Sequence, residues 1–208
     1  MREMRYSGVK WIGYIPKSYI PYRLKNLLVK EKDSIRVGPF GSALKGSDIL
    51  EEGDYWVYNQ RVILDSSFES NNTYINKEKY DELYSFRVKA GDILCTTRGS
   101  IGKITRVPDN YNEGVIHPCI IRFRIDDSIV NYKLLELIFN HSDIVIGELK
   151  TASNATTIDV VYSDSLKNIT IPLGTLEQQD KLLHFLIPKC TQIDAIIANA
   201  EQQIENSK

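Results

Sequence analysis

The C-terminal stretch, residues 171–205, constrains this chain more than any other. A short apolar run, Ile169 to Leu173, carries Pro172 and ends at Gly174. Thr175 then has the character of a helix N-cap, and Gln178 three residues later completes a capping box. Beyond the cap, Leu176, Leu183, Cys190, Ile197 and Ile204 recur at one heptad position, and Leu186, Ile193 and Ala200 at a second, with Gln179 as one polar member. This spacing predicts one long helix with a continuous apolar seam, about 45 Å long at 1.5 Å per residue. Pro188 lies inside it and is expected to kink the helix near Leu186 without stopping it. The seam fits either packing onto its own domain or pairing with another chain, and the chain offers no second helix of similar length.

Composition closes several alternatives. An apolar content of 42% is ordinary for a globular protein. No run reaches 18 apolar residues and the N-terminus lacks an apolar signal core, so a cytoplasmic protein is expected. Cys95, Cys119 and Cys190 show no paired spacing, and reduced thiols in apolar segments are expected. The net charge of −1 hides an asymmetry: residues 1–124 hold 20 Lys and Arg against 15 Asp and Glu, whereas residues 125–208 hold 6 against 12. A mildly basic body and an acidic tail suit a polyanion on one side and a protein partner on the other.

Along the body, residues 1–21 read as an extended segment pinned by Trp11 and Tyr14. Tyr22 to Val29 suits a strand or a short helix. The loop Arg36 to Gly46 contains three glycines, Pro39 and Lys45, and its small residues allow close approach to a phosphate backbone as readily as they form a plain surface turn. Tyr55 to Leu64 reads as one strand with a polar centre, Asn59-Gln60-Arg61, the side-chain types that contact base edges. Asn76 to Tyr84 suggests a short surface helix. Ile93 to Thr97 and Ile101 to Val107 read as a hairpin whose end gathers Thr96, Thr97, Arg98 and Lys103. Its Gly99-Ser-Ile-Gly102-Lys103 lacks both the first glycine and the Ser/Thr of a nucleotide-binding loop, which excludes that function. Gly114 to Ile125 is a strand interrupted at Pro118, with Arg122 and Arg124 on one face and His117 structural. Asn131 to Lys150 has helical periodicity, with a break expected near His141-Ser142-Asp143 or at Gly147. A small polar loop, residues 151–157, precedes a short helix at Tyr162 to Lys167.

Taken together, several stretches resemble the specificity subunit of type I restriction-modification systems. They are Trp11-Ile-Gly-Tyr-Ile-Pro16 with Tyr22-Arg-Leu24, Gly38-Pro-Phe-Gly-Ser-Ala-Leu-Lys45, and Gly91-Asp-Ile-Leu-Cys-Thr-Thr-Arg-Gly-Ser-Ile-Gly-Lys103. Towards the end come Leu166-Lys-Asn-Ile-Thr-Ile-Pro-Leu173, Leu176-Glu-Gln-Gln179 and Gln192-Ile-Asp-Ala-Ile-Ile197. Their order and spacing, more than any one piece, carry the resemblance over nearly the whole chain. Subunits of that family usually carry two target-recognition domains, each followed by a long helix, with the two helices antiparallel. This chain has one of each, and departs from the pattern at Pro188 and at Gly174-Thr175. The resemblance implies a double-stranded DNA reader of half a split site, without catalysis or cofactor, that positions methyltransferase subunits and through them the restriction subunit. It fits the absence from the sequence of a methyltransferase tetrapeptide and of a glycine-rich cofactor loop.

The expected fold is therefore α/β, mixed α+β: a twisted strand-rich recognition domain over residues 1–170 and a helical arm over 171–208. DNA contacts are expected from Ser42, Lys45, Asn59, Gln60, Arg61, Thr96, Thr97, Arg98, Lys103, Asn154 and Thr156. Homodimer contacts are expected from Leu183, Leu186, Ile193, Ile197 and Ile204. Two other readings compete: a metal-dependent nuclease using Asp109, Glu148 and Lys150, whose carboxylate-lysine pattern is loose, and a coiled-coil adaptor that binds no DNA.

Overall fold

A computed structural model describes residues 3–153 and 160–206. In chain order it contains β1 (Met4–Tyr6), β2 (Tyr14–Pro16), β3 (Ile20–Arg23), β4 (Ile35–Val37), β5 (Tyr55–Tyr58), α1 (Gln60–Leu64), β6 (Tyr74–Ile75) and α2 (Lys77–Glu82). The second half contains β7 (Ile93–Thr96), β8 (Ile104–Arg106), β9 (Gly114–Ile116), β10 (Ile120–Phe123), α3 (Tyr132–His141), α4 (Ile144–Ser153), α5 (Ser163–Asn168), β11 (Thr170–Leu173) and α6 (Leu176–Asn206). The mixed architecture and the long last helix are those expected from the sequence.

The central sheet has the order β4-β10-β7-β8, antiparallel throughout. Alternation along its strands sorts side chains between two faces. Ile93, Cys95, Ile104, Ile121 and Phe123 join a core with Leu135 and Phe139 of α3 and with Leu166, Ile171 and Leu183. Burial there pushes the Cys95 thiol up to about 12, so it stays protonated. Leu94 and Ile120 face the other way, into a second core with Tyr58, Val62 and Ile63. On that same face Asp92 is fully buried and accepts from Arg122 at 3.2 Å and Arg124 at 2.6 Å. The two arginines that the sequence places on one face thus share one carboxylate, and the Lys89 amide donates to it as well at 2.7 Å.

A second sheet, β6-β5-β9, pairs β5 and β9 in parallel. Gly114 is required there, because a Cβ would lie 2.3 Å from the Trp56 carbonyl oxygen. The expected strand Tyr55 to Leu64 ends early: β5 stops at Tyr58 and Gln60–Leu64 is helical. Asn59 caps this turn by accepting from the Arg61 amide at 2.9 Å. Helical spacing then buries Val62 and Ile63 beneath Tyr58, where strand alternation would have exposed one of them. Elsewhere the break between α3 and α4 falls at Ser142 and Asp143.

The arm is rooted in the body. β11 pairs with β3 in a two-stranded sheet, Ile20 opposite Leu173. The capping box is formed, with the Thr175 amide donating to Gln178 Oε1 at 3.1 Å and the Gln178 amide to Thr175 Oγ1 at 3.3 Å. Gln179, the polar member of the seam, is fully buried. Its amide nitrogen donates to the carbonyls of Ile129 and Gly174 at 2.9 and 3.0 Å, and its oxygen accepts from the Asn131 amide at 2.9 Å. From there α6 runs as one helix through Pro188, where the missing N–H leaves the ladder one bond short.

Candidate nucleic-acid interface

Several chain segments meet around the turn His117–Cys119, between β9 and β10. The Gly38 amide donates to the Ile120 carbonyl at 2.9 Å, and the backbone at Gly38 lies so close to the turn that a Cβ would meet the His117 oxygen at 2.2 Å. The His117 amide donates to the Tyr58 carbonyl at 3.1 Å. The Thr97 amide and hydroxyl both donate to the Cys119 carbonyl, at 3.0 and 2.9 Å. The Val161 amide donates to the Thr97 carbonyl at 2.8 Å, tying in the chain after residue 159. His117 itself is half-buried, which holds its pKa below the usual histidine value. Its Nδ1 accepts from the Cys119 amide at 3.1 Å, so the structural histidine expected from the sequence is what this geometry supports.

This rim is richer in cations than in acids. Segments 38–48, 59–65, 97–104 and 117–120 contain Lys45, Arg61, Arg98 and Lys103 against two acids, Asp48, whose carboxylate accepts from the Lys45 amide at 2.8 Å, and Asp65. Ser42, Lys45, Arg61 and Arg98 are exposed and Gln60 is half-exposed. Arg61 pairs with Asp65 at 3.7 Å, between exposed groups, and such pairs contribute about 0–1 kcal/mol and yield readily to a phosphate.

Other candidates turn inward. Thr96 and Thr97 are buried. The Thr96 hydroxyl donates to the Ser100 carbonyl at 2.5 Å and accepts from the Lys103 amide at 3.0 Å, closing the hairpin end. The Lys103 ammonium donates to the Asn140 carbonyl. Asn59 is occupied as the cap of α1 and by a bond to Thr73 at 3.0 Å. These four shape the rim from beneath. Asn154 and Thr156 lie outside the described residues. Phe40, which sequence reasoning passed over, is 82% exposed at the tip of the 38–45 loop.

The nuclease triplet has a different setting. Glu148 accepts from Trp11 Nε1 at 3.1 Å and from the Thr170 amide at 3.2 Å, fastening the N-terminal segment to α4 and β11. Asp109 is an exposed turn residue and Lys150 an exposed residue of α4. Among the described residues, no group of three His, Cys, Asp or Glu side chains is placed to hold a metal ion.

A second surface lies on α6. Leu183 is buried in the core of its own domain and Leu186 is half-buried. Every side chain over residues 191–206 is exposed, including Ile193, Ile196, Ile197 and Ile204 at 50–67%. Leu183 is thus withdrawn from any partner, and Ile196, off the strict seam, widens the apolar stripe. No helix among the described residues is long and apolar enough to cross a membrane.

Comparison with known proteins decides the family. The model of the type I restriction modification DNA specificity domain matches residues 36–206. The chain belongs to this family. A putative type I restriction enzyme specificity subunit of Haemophilus influenzae is 27% identical over 201 residues, covering 92% of this chain and 49% of that protein. A chain from a structure of the type I R-M system has a TM-score of 0.64 at 18% identity, covering 97% of this chain and 45% of its own length. The HsdS subunit from Thermoanaerobacter tengcongensis gives 0.60 at 16% identity, covering 92% and 41%. The specificity-domain chain therefore shares their fold and spans about half the length of the curated relative it matches.

Proposed function

We propose that this chain is a DNA-reading half of a type I specificity subunit: its rim recognises one part of a split duplex sequence and α6 joins it to its partners. The observation that carries this reading is that exposed Lys45, Arg61 and Arg98 lie on segments whose backbones meet at one turn of a specificity-domain fold. Exposed cations there neutralise phosphates, and Arg61, Arg98, Gln60 and Ser42 have donors of the kind that read base edges. Asn59, Thr96, Thr97 and Lys103 hold the loops in place, and Asn154 and Thr156 stay candidates for contact. The chain performs no chemistry itself; methyltransferase subunits, and through them a restriction subunit, supply it in the cytoplasm.

A second copy of this chain is the proposed partner of α6. Two helices paired antiparallel about a two-fold axis would bury Leu186, Ile193, Ile197 and Ile204 and set two reading rims at opposite ends. Each such side chain, if fully buried, contributes about 1.5–3 kcal/mol. The pair would read an inverted repeat with a fixed gap. The recognition unit then extends through β11 and the first turns of α6 into Leu186, and the free arm follows it.

The test is binding of the full chain to specific and scrambled duplexes, before and after Arg61→Ala and Arg98→Ala. Loss of a base contact should cost roughly 1–3 kcal/mol and relax the sequence preference, and loss of a phosphate contact should weaken all duplexes alike. Unchanged affinity and preference in both variants would remove the rim from the site.

A further inference from the structure

We propose that Phe40 is an apolar wedge that enters the base stack of the DNA held at this rim. The proposal rests on the DNA-reading function above and adds a means of deforming the duplex. Phe40 is the most exposed large apolar side chain of the described residues, at 82%. It is not on a loose loop. Gly38 before it is locked against the 117–118 backbone, where no Cβ fits. Pro39 is buried and fixes the approach of the chain. After it, the Ala43 and Leu44 amides donate to the Phe40 carbonyl at 2.8 and 3.3 Å, and Leu44 is buried in a third core with Val57 and Ile75. The backbone is therefore held on both sides while the ring is turned out to water.

The surroundings select the occupant. A protein-binding anchor is ringed by further apolar side chains, whereas Phe40 is followed by Gly41 and exposed Ser42 and Lys45, in a stretch, residues 36–47, that carries two cations and no carboxylate. A rigid apolar tip beside phosphate-binding cations is the arrangement that unstacks a base step and bends the duplex. The cations hold the backbone on either side, and the ring takes the place of a neighbouring base. Steps that unstack easily, pyrimidine followed by purine, would then be favoured at a position carrying no hydrogen-bonded readout.

The experiment uses the full chain and a pool of duplexes with randomised centres. Wild type, Phe40→Ala and Phe40→Trp are first compared by circular dichroism, where an exposed side chain should leave the fold unchanged. The duplex that wild type enriches is then labelled with 2-aminopurine, moved step by step through the site. Wild type should raise the fluorescence at one step. Phe40→Ala should abolish that signal and bind the enriched duplex roughly 10- to 100-fold more weakly, in line with the loss of one base-stacking contact. Phe40→Trp should keep the affinity, its own emission quenched on binding. Equal affinity and an equal 2-aminopurine signal with Phe40→Ala would overturn the wedge while leaving the DNA-reading function standing. If wild type enriches no sequence, the DNA-reading function falls and the wedge with it. A change confined to the sedimentation of Phe40→Ala, with DNA binding intact, would assign the ring to a protein contact and also overturn the proposal.

Discussion

The two halves of α6 follow one heptad pattern and meet opposite fates. In the first, Gln179 and Leu183 are buried in the body of the protein. In the second, the isoleucines stand in water. Periodicity states that a helix has an apolar face and is silent on what covers it. What separates the halves is the polar residue. A glutamine in a seam is tolerable only where fixed partners satisfy both its donors and its acceptor, and the body supplies two carbonyls and an amide. The distal half has no body packed against it, and every side chain over residues 191–206 is exposed.

The contrast can be broken at four places, in falling order of effect on folding. Leu183→Ala should destabilise the domain by about 2–5 kcal/mol, the cost of a core cavity, read as a lower midpoint in urea unfolding; a change like that of a surface substitution would mean that the root is not core. Gln179→Leu comes next. It leaves the Asn131 amide and two carbonyls without their partner, at about 1–3 kcal/mol for a buried group left unsatisfied, and a more stable variant would show those groups finding water instead. Thr175→Ala removes the cap and should cost roughly 0.5–2 kcal/mol, measurable by the same titration.

The smallest effect on folding belongs to Ile193→Asp with Ile197→Asp. Unfolding of the dilute monomer should shift by no more than about 0.5 kcal/mol, as for surface sites, yet sedimentation equilibrium should move from dimer to monomer. A wild-type monomer at tens of micromolar, indistinguishable from this variant, would end the dimer proposal and leave the arm to another partner.

How far sequence could reach depended on whether a signal was local. The capping box, the α6 seam, the hairpin strand Ile93 to Thr96 and the break at Ser142 rest on neighbours within a few residues, and all were legible. Tyr55 to Leu64 was not, because its β-branched and aromatic content matches a strand while the cap at Asn59 and the core under Val62 turn it helical. Thr96, Thr97 and Lys103 look like free donors in a glycine-rich stretch. Only the fold shows that Ser100, Cys119 and Asn140 already accept from them. Phe40 was passed over, since nothing local to Gly38-Pro39-Phe40-Gly41 says whether the ring is buried or exposed, and the pinning of its loop on both sides is visible only in the fold.

The pairing of β3 with β11 also bears on synthesis. Residues 20–23 emerge early from the ribosome and wait for residues 170–173 before their edge is covered. Contacts so distant in sequence form late, and by then nearly the whole recognition body has been made. The distal isoleucines are thus translated after the strand that closes the body, onto a body already able to fold. The apolar stripe of α6 is therefore absent while the body is still being made, and the body is built without a long exposed apolar helix beside it.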